Sequence, residues 1–455
     1  MSISNETGYV IKGKVIDGTL DAPITDGAVV VDGAEIAWVG KAGDLPASYA
    51  GDGYAHLGGP GRAVLPGLID GHIHVSFGEA RSEEELALYT PVEYRAIKAI
   101  WNARKILRAG VTSAFDAATT YNVSPAVRDA IEAGMFEGPR LAVAGRQLTT
   151  HQGLEDSFPN SMQFPPGQAG VLVRSRDEIV EQIRLQVKDG VDAIKVSGSS
   201  DSAISNEPID GAAFRAEEFD LIADETHRLQ RKCTVHARSR ESVFLAAKAG
   251  FDWIMHASFI DDAGIDACLR SDVAITPTLT LLVNIVNAMQ GEAGASSGDV
   301  FKAEIDAAAE NLSRAYQAGV PLIAGSETGW SLVPFGQWHA KEMEVLVSLL
   351  GLTPLQAIHA GTLAATRCLP KWRDKIGKIE AGRFADLIVV DGDPTEDITL
   401  LQRTSKLALV MKGGRLVDIE TPIIERRVWA YEKHRTFLTG RFVFDEDTGR
   451  GKVVD

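Results

Sequence analysis

Between Pro66 and about Lys375 the chain alternates two kinds of apolar pattern. Short runs such as VTSAFDA and VDAIKVS read as buried strands, while PVEYRAIKAIWNARKILRAG and RDEIVEQIRLQVKDG carry apolar residues at helical spacing. This rhythm predicts parallel βα units, because parallel strands need a long crossover and a helix is the usual one. Gly110, Gly190, Gly250 and Gly319 close helical stretches where a left-handed residue turns the chain into the next strand. Repeated junctions of this kind favour a barrel over a helical bundle.

The two ends follow another pattern. The opening VIKGKVIDGTLDAPITDGAVVVDGAEIAWVG, and the late stretch from ADLIVVDGDP through LALVMKGGRLVD, are short alternating runs broken by Gly, Asp and Pro, which predicts β-hairpins. The glycine-rich GDGYAHLGGPGR reads as a linker into the barrel, since it lacks the strand–loop–helix order of a phosphate-cradling loop. After about Thr421, a charged helix-like stretch with Trp and Tyr anchors precedes a polar finish, suited either to a neighbouring subunit or to solvent.

Polar residues with metal chemistry end several of the apolar runs. His72 and His74 close VLPGLIDGHIHV, and side chains two apart on a strand share a face, so the pair can hold one cation. Lys195 closes VDAIK, His236 closes CTVH, His256 closes FDWIMH, and Glu327 follows VPLIAGSE. In a βα barrel all strand C-termini open onto one face, so residues far apart in sequence would converge there.

Composition narrows the partners. The 455 residues, 45% of them hydrophobic, suffice for a barrel and a smaller accessory domain. A formal net charge of −16 disfavours nucleic acid and anionic membranes, leaving a small-molecule substrate. The N-terminus lacks the basic and apolar regions of a secretory signal, and no apolar run reaches the roughly 18 residues of a membrane span. Three sparse cysteines, Cys233, Cys268 and Cys368, read as reduced thiols, which suits the cytoplasm. Alternation puts Cys233 on the face opposite His236, a core position.

The stretches PGLIDGHIHV, GVDAIKVSG, TVHARSRESVFLAAKAGFDWIMHAS, GVPLIAGSETG and LTPLQAIHAGTLAATRCL, followed by IGKIEAGRFADLIVVDGDP, resemble the metal-dependent amidohydrolase superfamily, in particular its imidazolonepropionase-like and Xaa-Pro dipeptidase-like branch. The resemblance runs from about Val15 to about Val417. It implies an α/β fold: a (β/α)8 TIM-like barrel over residues 66–375 and a small β-sandwich domain built from residues 1–65 and 376–421, with 422–455 as an extension. It also implies two divalent metals, zinc first with manganese or cobalt as alternatives, and a homo-oligomer. His72 and His74 would bind one metal, Lys195 carboxylated by CO2 would bridge, and His236 and His256 would bind the second. Glu327 stands where the family carries an aspartate that binds metal and handles the proton of the attacking water. The extra methylene keeps the acid but moves its carboxylate further out.

The implied activity is hydrolysis of an amide, urea or carbamate C–N bond. Three further residues bear on the substrate. Arg238 either grips a substrate carboxylate, as a dipeptidase or N-acyl amino acid hydrolase would use it, or makes a structural salt bridge. His151 matches in position a family histidine that contacts the substrate carbonyl, or is an ordinary loop histidine. Trp330, with Phe335 and Trp338, either lines a pocket for an aryl urea, carbamate or aromatic amide or packs as core beneath a loop. A mononuclear deaminase has no use for Lys195, and a non-catalytic scaffold has no use for the near-complete ligand set.

Overall fold

The computed structural model describes residues 8–151, 153–200, 211–289, 295–424 and 441–454. The first strands are β1 (Gly8–Val15), β2 (Ile24–Asp32), β3 (Glu35–Lys41) and β4 (Tyr54–Pro66). Then come β5 (Leu68–Ile73), β6 (Val111–Asp116), β7 (Arg140–Val143), β8 (Gln147–Thr149), β9 (Gly170–Leu172), β10 (Ala193–Ser197), β11 (Lys232–Ala237), β12 (Trp253–His256) and β13 (Ala274–Thr276). The last are β14 (Leu387–Asp391), β15 (Leu407–Lys412), β16 (Arg415–Leu416), β17 (Arg441–Asp445) and β18 (Arg450–Val454).

Parallel strands alternate with helices through the middle of the chain, as the apolar rhythm predicts. β5, β6 and β7 pair in parallel, and β8 and β10 through β13 form a second parallel run. A bridge from Ala144 to Ala193 joins the two sheets on one side. On the other side Ile275 pairs with Leu322, and Gly71 N–H donates to the Ala324 carbonyl at 2.8 Å. Pairing therefore runs from β5 round to residues 322–324 and back to β5. Every residue of β5, β6 and β10 is buried, as expected where helices cover the outside of parallel strands.

The helix ends follow local rules. Ser175 and Ser239 accept hydrogen bonds from the N–H groups of Glu178 and Ser242, capping helices Arg176–Lys188 and Arg240–Ala249. Gly110, Gly190, Gly250 and Gly319 all have left-handed φ, between 83° and 105°, and each ends a helix as predicted.

Both ends of the chain meet in one seven-stranded sheet, ordered β16-β15-β14-β4-β1-β2-β3. Here the linker reading of GDGYAHLGGPGR is corrected, because most of it lies in β4. β1 pairs with Tyr54–Gly58, then again with Ala63 and Val64, and the glycine-rich residues between are extruded. Gly58, at φ 77°, lies so close to β1 that a Cβ there would sit 2.1 Å from the Lys12 carbonyl. Glycine permits that bulge, and the same glycines hide the strand from a propensity reading.

At the far end β17 and β18 form a hairpin seated on this same chain. Trp338 stacks on Phe442 with ring centroids 5.7 Å apart, and its Nε1 donates to the Phe442 carbonyl at 2.8 Å. The charged helix-like stretch lies mostly within 425–440, outside the described residues. Among the described residues, no helix is long and apolar enough to cross a membrane.

Candidate metal centre

His72 and His74 leave the end of β5, His236 sits late in β11, His256 closes β12, and Glu327 follows residues 322–326. The Glu327 carboxylate lies 3.8 Å from His72 Nε2, 3.7 Å from His74 Nε2 and 4.0 Å from His256 Nδ1. Ring centroids are 5.0 Å apart for His72 and His74, and 4.4 Å for His236 and His256. One potential ligand atom each from His72, His256 and Glu327 falls within a 4.8 Å span. The extra methylene of Glu327 thus does not keep its carboxylate from the histidines.

A buried polar atom without a partner is costly, so native interiors leave few of them. Here His74 Nδ1, His236 Nε2, both ring nitrogens of His256 and Glu327 Oε2 are buried and have no hydrogen-bond partner. Unpartnered imidazole and carboxylate donors gathered in one buried place fit a divalent cation, for which they are suitable ligands. The charge state suits it too. Burial first, then the positive charge of Arg238, holds His236 and His256 well below the usual histidine range. Burial and then the Lys195 charge do the same for His72. Neutral imidazoles are the form that ligates metal.

Lys195 is buried in β10, with its amine against the Met255 sulfur. Burial pushes the amine down to about 7, against the pull of Glu327 and Glu155, which favour its charge.

A network that sequence reasoning passed over holds the ends of the ring together. The Asp70 carboxylate accepts from His72 N–H, Ser326 N–H, Ser326 Oγ and His339 Nδ1, at 2.6 to 3.1 Å. Glu327 N–H then donates to the His72 carbonyl at 2.8 Å, which sets the acid beside the first histidine pair. Thr278 Oγ1 donates to the Thr276 carbonyl, so it accepts from His72 Nδ1 at 3.0 Å and leaves His72 Nε2 with its lone pair. Nothing in the local pattern around Thr278 or His339 marks them. Backbone strain is concentrated nearby: His256, Thr278 and Glu327 have φ of 76°, 57° and 61°. Such conformations cost about 1–3 kcal/mol each and gather at functional sites. Thr278→Val, which keeps the shape and removes the acceptor, is expected to weaken metal affinity by about 10–100-fold. Metal retention during graded chelation would measure it, and unchanged affinity would sink the orienting role.

The three substrate-facing candidates fare differently. Arg238 is buried and ion-paired with Glu304, which also accepts from Ser258 Oγ at 2.7 Å. Of the two readings this matches the structural salt bridge, since the guanidinium turns toward Glu304. Glu304→Ala would remove a carboxylate from beside the buried guanidinium, and a loss of about 3–5 kcal/mol in urea unfolding is expected. A loss below about 1 kcal/mol would contradict it.

His151 is exposed and paired with Asp156 at 3.0 Å, and it lines a cavity with Phe158, Met162 and Arg174, apart from the histidine cluster. In the same loop Glu155 is the buried acid. It accepts from Gln147 Nε2 at 2.6 Å, Gln147 Oε1 accepts from Ser197 Oγ, and burial drives the Glu155 carboxyl well above its usual range. A histidine attracts notice where a glutamate in a polar loop does not.

The aromatic group divides. Phe335 and Trp338 are buried core residues, so the pocket reading is corrected for them. Trp330 is half-buried and meets Phe77 edge-on at 5.0 Å, while Phe77 stacks on His74 at 4.2 Å. These two rings form an aromatic shelf beside the histidines.

The parallel strands thus carry at their C-terminal ends a histidine–carboxylate cluster suited to a divalent cation. A model of the amidohydrolase family matches residues 63–417. The chain belongs to that family, whose members are hydrolytic enzymes acting on C–N bonds and generally use metal ions. It is 28% identical to ochratoxinase from Aspergillus niger over 418 residues, covering 87% of this chain and 83% of that one. It is 25% identical to imidazolonepropionase from Shewanella amazonensis, covering 87% and 93%. The crystal structure of the A. niger ochratoxinase superposes with a TM-score of 0.79 at 26% identity, covering 90% and 95%. That of a Xaa-Pro dipeptidase with bound methionine in its active site gives 0.79 at 27%, covering 90% and 99%.

Proposed function

We propose that this chain is a binuclear amidohydrolase with a (β/α)8 barrel at its centre, cleaving a carboxamide bond beside an aromatic group. The observation that carries the reading is the gathering of His72, His74 and His256 round Glu327, with His236 against His256, and the buried donor atoms of His74, His236, His256 and Glu327 that lack partners. In this reading His72 and His74 hold one ion, His236 and His256 the other, with zinc the first choice of metal. Divalent ions so held supply an acidified water and polarise the scissile carbonyl.

The residues do the rest. Lys195, pushed down to about 7, is largely neutral in mildly basic solution. Its lone pair would add to the CO2 carbon, the C=O π pair moving to oxygen and the displaced N–H proton passing to solvent, and the resulting carbamate would offer oxygen ligands to ions held by the histidines. Glu327 takes the proton of the attacking water and passes it to the departing nitrogen. In this reading Arg238 stays paired with Glu304 and adds to the burial that keeps His236 and His256 neutral. The Phe77–Trp330 shelf receives an aromatic substituent, a use to which the ochratoxinase resemblance lends support.

A second reading, a Xaa-Pro dipeptidase, rests on the structural likeness to such an enzyme. The test is hydrolysis by Zn-, Mn- and Co-loaded protein of N-acyl aromatic amino acids, aryl amides, aryl ureas and Xaa-Pro dipeptides. Preference for the aromatic amides, reduced in Trp330→Ala, is expected. Turnover of dipeptides alone would favour the second reading, and no turnover of any by metal-loaded protein would overturn both.

A further inference from the structure

At the opposite end of the strands lies a cluster that the hydrolytic site does not use. His227 comes from the last turn of helix Ala216–Arg228, Cys233 from the start of β11, and Asp252 immediately precedes β12. His227 Nε2 lies 2.9 Å from Asp252 Oδ2 and 3.6 Å from Cys233 Sγ, and one ligand atom from each residue falls within 4.8 Å of the other two.

The geometry separates two uses of such a trio. In a nucleophilic relay the thiol and the acid face different nitrogens of the imidazole, one to be activated and one to orient. Here both face the same Nε2, so three donor atoms point at a single locus. The 3.6 Å sulfur–nitrogen separation also suits a shared ion. Zn–S and Zn–N bonds of about 2.3 and 2.05 Å at a tetrahedral angle put those atoms about 3.5 Å apart. Access exists from the His227 side, whose side chain is 40% exposed, while Cys233 lies buried beneath it.

We propose that His227, Cys233 and Asp252 form a separate metal site for a thiophilic divalent cation such as Zn2+, at the strand starts. Binding displaces the thiol proton, leaves the imidazole proton on Nδ1, and uses Asp252 Oδ2, while Lys232 keeps Oδ1 at 2.6 Å. Strand starts in such barrels serve stability more than chemistry, so the ion would pin the helix end to two strands.

The test is Cd2+ titration of the full chain, following the ultraviolet sulfur-to-cadmium charge-transfer band. The hydrolytic cluster contains no cysteine, so the band reports this site whatever becomes of the proposed function. A saturable band is expected that Zn2+ suppresses and Cys233→Ser removes. His227→Ala, a change on an exposed helix end, should raise the Cd2+ needed by about tenfold or more. No band in the wild-type chain, a band persisting in Cys233→Ser, or unchanged affinity in His227→Ala would each overturn the proposal.

Discussion

Lys195→Ala is expected to lower kcat about 10³-fold or more, equivalent to about 4 kcal/mol of lost barrier reduction, and to lower the metal content of the purified chain. The substitution removes the carbamate that would bridge the two ions, while the histidines and Glu327 remain. It should not unfold the protein, because an amine in the apolar setting of β10 contributes little to stability when charged. Addition of a short-chain carboxylate, small enough to fill the space left by the side chain, should restore part of the activity. In the wild type, bicarbonate should speed reactivation of metal-stripped protein above about pH 7 and lose its effect below it. The sign follows from the amine, which is held at about 7 and captures CO2 only when it has lost its proton. Full metal content and full turnover in Lys195→Ala would remove the bridging role.

Glu327→Gln is the second large effect, a loss of about 10²–10⁴ in kcat with the fold retained. The amide has the same shape but accepts no proton, so both the attack and the departure of the nitrogen lose their relay. Glu327→Asp restores the residue expected of the family, and a loss of only about tenfold is expected, with metal content kept. The Glu327 carboxylate stands 3.7 to 4.0 Å from three histidines, and the shorter acid would draw it back from them. Pre-steady-state turnover with each variant would separate proton transfer from product release. Equal rates for Gln and wild type would move the proton to another group, with the buried Glu155 as the next place to look.

Much of the site was legible because its residues close apolar runs. His72, His74, His236 and His256 each stand where a strand ends, and a parallel sheet gathers such ends on one face. The helix-closing glycines were equally legible, since a helix end is decided within a few residues. Thr278, Asp70 and His339 were not. They matter through hydrogen bonds to partners distant in sequence, and nothing in the residues around them distinguishes a tied side chain from a solvated one. The strand Tyr54–Pro66 was hidden for a local reason, because its bulge is made from the residues that usually mark a turn.

Arg238 and His151 show where local reading stops altogether. Alternation can place Arg238 on the side of the strand that carries His236, but the direction of a long guanidinium stem depends on which acid stands within reach, and Glu304 comes from a helix that follows much later. His151 ends its apolar run like a ligand, yet the loop after it turns Glu155 inward and leaves the histidine with Asp156 at the surface. The sequence by itself determined the alternation of strands and helices through the middle of the chain and which polar residues close the strands, because periodicity acts over a few residues. Only the tertiary structure decided which of those side chains meet, which buried charges are paired and which imidazoles stay neutral. Those outcomes depend on burial and on contacts between segments brought together by ring closure, and no local pattern encodes them.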